Sequence, residues 1–289
     1  MVRAHQEIVQ LSKKDCFLVF DRLKDYFDWP FHQHPEFELN FIENATGLLR
    51  RIGDHNEVIK AKELLLVGSN LGHCWEQHHC TTKPIHEITL QFHPSLFETA
   101  LINRQIFSPI KDMFQRAQHG ILFSNETFDL VKPRLIEMYN KQGMDYFLEM
   151  LSILHDLATS RNQRILSSTA APIYTYEKSK ELEKLNDFLE LNYQRKLTLE
   201  EVANELHMSQ ITFNRFIKRT TGRTFINYLN EIRLVKAAVL LIEGDTAVAE
   251  IAQDCGFYNL ANFHRTFKKR NGCTPSKYRM EFSGLKRTL

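Results

Sequence analysis

The C-terminal third of the chain carries one unit twice, and no other feature restricts its fold as tightly. Glu201-Val-Ala203 returns as Glu250-Ile-Ala252, 49 residues further on. Beyond the following turn the offset is 50, pairing Phe213 with Phe263, Arg215 with Arg265, Lys218 with Lys268, Gly222 with Gly272, Thr224 with Thr274 and Tyr228 with Tyr278. Self-similarity at a fixed period means one supersecondary unit used repeatedly. Each copy reads as a short helix, a turn of about four residues and a second helix ending near a glycine, the outline of a helix-turn-helix. Thr198-x-x-Glu201 is a capping box that opens the first copy, with Leu199, Val202, Ala203 and Leu206 facing inward. Tyr228, Leu229, Ile232, Val235 and Val239 mark a long helix between the copies, which Gly244 can end.

Charge is distributed to match. The 289 residues hold 37 Lys+Arg and 35 Asp+Glu, a net +2 that says little by itself. Residues 177–289, however, hold 19 basic against 14 acidic residues, whereas residues 1–176 hold 18 against 21. No Asp or Glu occurs from Leu206 to Asn230, where Arg215, Lys218, Arg219 and Arg223 lie. None occurs from Cys255 to Met280 either, around Arg265, Lys268, Lys269, Arg270, Lys277 and Arg279. One such window alone reads as a solvated helix face. Two, in register with a duplicated helix-turn-helix, point to a surface that attracts phosphate.

The first part of the chain has another period. Cys16–Phe20, Phe37–Ile42, Glu63–Val67 and Ile85–Phe92 read as short strands separated by turns such as Ile52-Gly-Asp-His-Asn56, which suggests a sandwich or small barrel. From about Pro94 to Arg164 the period is helical. There Phe147, Met150, Leu151, Leu154, Leu157 and Ala158 form an apolar stripe, for core packing or for self-association. Leu166-Ser-Ser-Thr-Ala-Ala-Pro-Ile173 has linker composition. The expected class is therefore α+β, with domains at residues 1–165 and 177–289 joined by a linker at 166–176. No apolar run approaches the roughly 18 residues of a membrane span. The five cysteines (Cys16, Cys74, Cys80, Cys255 and Cys273) lack CxxC spacing and fit a reducing, cytoplasmic setting.

Leu199-x-x-Val202-Ala203, Ser209, Phe213-x-Arg215, Thr221-Gly222, Phe225-x-x-Tyr228-Leu229, Arg233-Leu234, Ala237 and Leu240-Leu241 form the first half of a family pattern. Val248-x-Glu250-Ile251-Ala252, Gly256-Phe257, Phe263-x-Arg265-x-Phe267-Lys268, Gly272-Cys-Thr-Pro275 and Tyr278-Arg279 complete it. Residues 177–289 thereby resemble the DNA-binding domain of AraC-type transcription regulators. The resemblance implies two helix-turn-helix units on either side of a rigid linking helix, here about Phe225–Ile242. About 18 residues at 1.5 Å each make roughly 27 Å. With flanking turns, one chain can present two recognition helices about one DNA turn, roughly 34 Å, apart.

In the first recognition helix Ser209 is the expected N-cap, and Gln210, Ile211, Asn214 and Arg215 face outward. The resemblance assigns base reading to Ile211, Asn214 and Arg215. Their chemistry agrees: Arg suits guanine, Asn or Gln suits adenine, and Ile suits a thymine methyl. The second recognition helix begins near Asn259 and offers Leu260, Ala261, Asn262, His264 and Arg265. Leu260 and Ala261 carry no hydrogen-bonding side chain, so its readout is expected to be looser. Lys218, Lys268 and Lys269 suit phosphates, which position without specifying. Promoter DNA is the implied partner, together with RNA polymerase if the protein is an activator.

The run Phe31–Phe41 alternates, placing His32, His34, Glu36 and Glu38 on one face and Phe37, Leu39 and Phe41 on the other. His32-x-His34-x-x-x-Glu38, followed by Leu71-Gly-His73, resembles the paired motifs of cupin barrels, which commonly precede AraC-type DNA-binding domains. The resemblance puts His32, His34, Glu38 and His73 at metal-ligand positions, where three imidazoles and a carboxylate suit a divalent metal such as Fe, Mn, Ni or Zn. The same residues can instead line a small-molecule effector cavity or serve structure alone. A carbohydrate is the commonest effector in the family. His73-Cys74-Trp75-x-x-His78-His79-Cys80 matches no standard zinc spacing and reads as a loop at the cavity mouth. In it Trp75 is either a core residue or a stacking surface for the effector. In the family this chain resembles, the helices after the barrel commonly form the dimer interface, so the resemblance implies a homodimer. No nucleophile or general-base arrangement stands beside the histidines, so a ligand-responsive regulator is expected, not an enzyme. The alternatives are a cupin metalloenzyme with an appended DNA-binding domain, or an effector-independent regulator whose barrel only dimerises.

Overall fold

The computed structural model describes residues 4–9, 11, 15–27, 30–97, 102–170 and 176–282. The chain divides into two compact units, residues 1–173 and 174–286. Residues 171–175 of the expected linker lie outside the described residues.

Strands of the first unit are β1 (His5–Gln6), β2 (Leu18–Lys24), β3 (His32–Gln33), β4 (Phe37–Glu43), β5 (Leu49–Ile52), β6 (His55–Val58), β7 (Lys62–Val67), β8 (His73–Glu76) and β9 (Ile85–Phe92). Helix α1 (Ser108–Ala117), β10 (Ile121–Leu122), α2 (Asn125–Glu137), α3 (Gly143–Thr159) and β11 (Arg164–Ile165) follow. The strands make two sheets, ordered β1-β3-β8-β5-β6 and β11-β10-β7-β4-β9-β2. Three of the sequence expectations shift. Strand β2 runs from Leu18 to Lys24, not from Cys16 to Phe20, because it pairs with β9 along its whole length, Leu18↔Gln91 to Lys24↔Ile85. Its charged end is held by Lys24 Nζ, 2.6 Å from Glu87 Oε2. The Phe31–Phe41 alternation is two strands in different sheets, broken at His34-Pro35-Glu36, where Pro35 has no N–H to give a ladder. Residues 73–76 are strand β8 and not a loop, pairing Arg50↔Trp75 and Ile52↔His73 with β5.

The six-stranded sheet has two unlike faces, as period-two alternation requires. Phe37, Leu39, Phe41, Leu64, Leu66, Ile88, Leu90 and Phe92 pack with Met113, Phe128, Val131, Met150 and Leu154 of the helices. The stripe on α3 belongs to this core: Met150, Leu154 and Leu157 are buried, and Phe147, Leu151 and Ala158 pack against them. The large apolar side chains that α3 leaves exposed are Met144 and Leu148. On the sheet's other face, Ile42, Leu65 and Val67 join Ile52 and Trp75 of the opposite sheet, and Leu48 just before β5, in a second core. Buried polar side chains accompany it. Arg50 bonds both Glu63 and Glu57, Trp75 Nε1 donates to Glu63 Oε1 at 2.8 Å, and Arg164 also bonds Glu57. Next to this network, Asp54 in the β5–β6 turn accepts from Ser167 Oγ at 2.8 Å and from the Ser168 amide at 2.9 Å.

The second unit is helical among its described residues: α4 (Tyr176–Asn192), α5 (Leu199–Glu205), α6 (Gln210–Thr221), α7 (Phe225–Glu243), α8 (Val248–Asp254), α9 (Leu260–Asn271) and α10 (Pro275–Phe282). Equivalent positions of the two copies are buried, Phe213, Ile217 and Tyr228 in one and Phe263, Phe267 and Tyr278 in the other. Thr198 caps α5 by accepting from the Glu201 amide, whereas α8 starts at Ala247 with no side-chain cap. Both recognition helices end in a left-handed glycine, Gly222 at φ 74° and Gly272 at φ 73°. Arg233, buried on α7, donates to the carbonyls of Tyr193 and Arg195 and so closes the end of α4.

Candidate functional site

Helix α6 presents its sequence-predicted readers to solvent. Ser209 is its N-cap, accepting from the Thr212 amide, so its hydroxyl is committed to the helix. Gln210, Ile211, Asn214 and Arg215 are exposed, Ile211 by 68%, while Phe213, Phe216 and Ile217 are buried behind them. An exposed isoleucine flanked by amides and a guanidinium is the residue mix that base edges accept. Lys218 is exposed and donates to the Gly222 carbonyl at 3.0 Å. On α9 the equivalent cap is Asn259, which accepts from the Asn262 amide. Leu260, Ala261, Arg265, Lys268 and Lys269 are exposed, and Asn262 and His264 are half-buried. Asn262 Oδ1 takes a hydrogen bond from Arg265 Nη2 at 2.8 Å, which orients the guanidinium. Helix α7 has 19 residues, about 28 Å at 1.5 Å each.

In the first unit, the cupin-like residues converge although β3 and β4 lie in different sheets. His32, His34 and His73 each offer a nitrogen within 4.8 Å of the others, and all three are buried. His34 Nε2 is 3.2 Å from Glu38 Oε2, and Gln91 Nε2 donates to the same oxygen at 2.7 Å. His73 Nε2 lies 3.7 Å from Glu38 Oε1, a charge contact beyond hydrogen-bond reach. The Nδ1–H of His32 donates to the Pro30 carbonyl at 2.9 Å and that of His73 to the Leu71 carbonyl at 2.8 Å. Both rings therefore turn Nε2 away from the backbone, as in metal-binding histidines; that of His32 stands 3.1 Å from Glu7 Oε2. Burial, then the charges of His73 and His34, hold the His32 pKa well below its ordinary value. For His34, burial alone would lower the pKa, but the hydrogen bonds and charges of Glu36 and Glu38 outweigh it and raise it to about 10. Burial would raise the Glu38 pKa, yet its contacts with His34 and His73 hold it well below the carboxylate range. His34 thus balances Glu38 with a proton; a divalent cation held there would supply positive charge in its place and release that proton. His73 Nε2 and Asn40 Oδ1 are buried without a hydrogen-bond partner among the described residues. The donor set fits a transition metal. Trp75 sits in the second core with its N–H given to Glu63. Its ring centroid is 6.0 Å from that of His73.

Two helix-turn-helix units on one linking helix, following in the chain a two-sheet unit with buried polar side chains, define a DNA-binding regulator fused to a second folded unit. A model of the helix-turn-helix domain matches residues 202–281. The transcriptional activator RhaS of Escherichia fergusonii is 33% identical over 264 residues, covering 87% of each chain. The chain belongs to the AraC-type family of transcription regulators. RhaS of Mannheimia succiniciproducens is 26% identical over 173 residues, which are 62% of that protein. The bifunctional transcriptional activator and DNA repair enzyme AdaA of Bacillus subtilis is 33% identical over 95 residues, 45% of its length. The chain thus spans less than two thirds of these last two relatives. ToxT from Vibrio cholerae shares the fold, with a TM-score of 0.61 at 15% identity over 93% of this chain and 100% of that one. Among the described residues no helix is long and apolar enough to cross a membrane.

Proposed function

We propose that the first unit binds a small-molecule effector between its sheets and that the second reads promoter DNA through α6 and α9, in a cytoplasmic, non-enzymatic regulator. One observation carries the sensing half: buried polar atoms on the inner face, His73 Nε2 and Asn40 Oδ1, lack a hydrogen-bond partner among the described residues. Buried polar groups are normally satisfied, so such a face is suited to a ligand that completes it. His32, His34, Glu38 and His73 would hold a divalent metal, which when bound supplies a fixed positive centre for an oxygen-bearing effector such as a carbohydrate. Trp75 walls the same interior. Base reading falls to Gln210, Ile211, Asn214 and Arg215 on α6, and to Arg265, with Asn262 or His264, on α9. Lys218, Lys268 and Lys269 contact phosphate; Ser209 and Asn259 cap the helices that approach it. Homodimerisation uses the apolar residues that α3 leaves exposed, Met144 and Leu148, and RNA polymerase is the further partner if the protein activates.

Two measurements on the purified full-length chain test this reading. Metal analysis without added metal should find about one divalent ion per chain, lost in His73→Ala. A panel of small polar molecules should contain one that raises the unfolding temperature without being consumed; ligand at 100 times its Kd adds about 2.7 kcal/mol. Turnover of the molecule would favour an enzyme, and constitutive DNA binding with no stabilising ligand would favour a barrel that only supports assembly.

A further inference from the structure

Residues 206–242 contain a single acidic side chain, Glu231. It lies on α7, between the two copies of the helix-turn-helix. One carboxylate oxygen accepts from Arg223 Nη1, in the turn that joins α6 to α7. The other lies 3.3 Å from Arg270 Nε, at the far end of α9. Arg223 follows the first recognition helix and Arg270 belongs to the last turn of the second. The side chains are largely shielded, with exposures of 18% for Glu231, 25% for Arg223 and 11% for Arg270. Arg270 is fixed further by donating from Nη1 to Asn271 Oδ1 at 2.9 Å.

A carboxylate in an otherwise acid-free stretch repels phosphate, so it weakens the field that brings DNA to this face. Here it occupies two arginines that would otherwise be available to DNA, one from each copy. The geometry points to a mechanical role: we propose that Glu231 is a positioning residue that fixes the separation and phase of the two recognition helices. Helix α7 sets the distance between its ends, but it does not by itself set the angle at which α9 stands to α6. The bridge from Arg223 through Glu231 to Arg270 ties the exit of α6 and the end of α9 to one point on α7. This inference rests on the reading that α6 and α9 both enter DNA. Moving one binding block by a base pair displaces it by about 3.4 Å and turns it by about a tenth of a revolution. A loosened bridge therefore shows as tolerance of altered spacing.

The experiment selects randomised duplex DNA with the full-length protein and its variants. Wild-type protein should enrich two sequence blocks at one separation, and moving them by one base pair should weaken binding about tenfold. Glu231→Gln should enrich the same blocks at two or more separations, with that preference reduced to about threefold or less, while circular dichroism shows unchanged helix content. Arg270→Gln, which cuts only the α9 side of the bridge, should do the same, and it carries the test if Glu231→Gln folds poorly. Variants that keep a single separation overturn the proposal, as does an equal loss of affinity at every separation. Wild-type protein that enriches only one block overturns the two-groove reading, and the proposal with it.

Discussion

Replacing Arg50 by methionine should destabilise the first unit by about 3–5 kcal/mol, the range for breaking a buried ion pair from one side. The side chains of Arg50 and Glu63 are 1% and 4% exposed, and Arg50 also holds Glu57. Burial already raises the Glu63 pKa; Arg50 and the Trp75 N–H pull it back only in part. Without Arg50 the Glu63 carboxylate keeps one donor, the Trp75 N–H, and loses the guanidinium it shares with Glu57, which Arg164 still holds. At about 2–4 °C per kcal/mol for a unit of this size, unfolding should move down by roughly 6–20 °C. The sign with pH is fixed. A carboxyl whose folded pKa is raised favours the fold only while protonated, so the deficit grows as pH rises above about 4.5. Thermal unfolding at about pH 5 and about pH 8 reads this directly, with the larger deficit at the higher pH. Arg50→Met with Glu63→Gln keeps an acceptor for Trp75 and removes the stranded charge, so it should recover at least half of the loss. A deficit under about 1 kcal/mol, or one indifferent to pH, would show that water reaches the pair and refute the reasoning.

Three further outcomes are expected. Arg215→Ala should weaken specific DNA binding by about 1–3 kcal/mol and relax preference at one base position; an unchanged selected site would remove Arg215 from the readers. Gly256→Ala should destabilise the second unit by at least about 1 kcal/mol more than Gly222→Ala. Both glycines have positive φ, but a Cβ at Gly256 would meet the Tyr193 and Gln194 carbonyl oxygens at 2.7 Å, whereas Gly222 faces open space; equal unfolding temperatures would contradict this. Hydrogen bonds from Ser168 and Ser167 lower the Asp54 pKa to about 2. Their hold on residues 167–168 should thus be complete above about pH 4 and lost as pH falls through about 2, and an NMR titration giving Asp54 an ordinary pKa would show that the serines do not hold it.

Much of the second unit was legible because its signals are local. Ser209, Asn259 and Thr198 sit at N-caps, where a short polar side chain can accept from an amide three residues on. The bounds of α6, α7 and α9 follow within a residue or two. The first unit was less legible because its determinants lie across strands. Leu49-Arg-Arg-Ile52 has too much charge to read as strand, yet β5 forms because β8 and β6 pair on either side of it, and Arg50 finds Glu63 only in the assembled sheets. His32, His34, Glu38 and His73 were found by motif. That they meet across two sheets, and that His34 stands between Glu36 and Glu38, needed the register. The commitment of the Trp75 N–H to Glu63 left no trace in the sequence.

The two copies of the helix-turn-helix are alike in shape but not in how firmly they begin. Helix α5 has a capped start: Thr198 accepts from the Glu201 amide, and Glu201 pairs with Arg195. Helix α8 starts at an alanine and lacks a side-chain acceptor for its first amides. An alanine in that place forgoes about 1 kcal/mol, so fraying begins in the second copy. The first amides of α8 should exchange with solvent ahead of those of α5, and a protease should find its first foothold there.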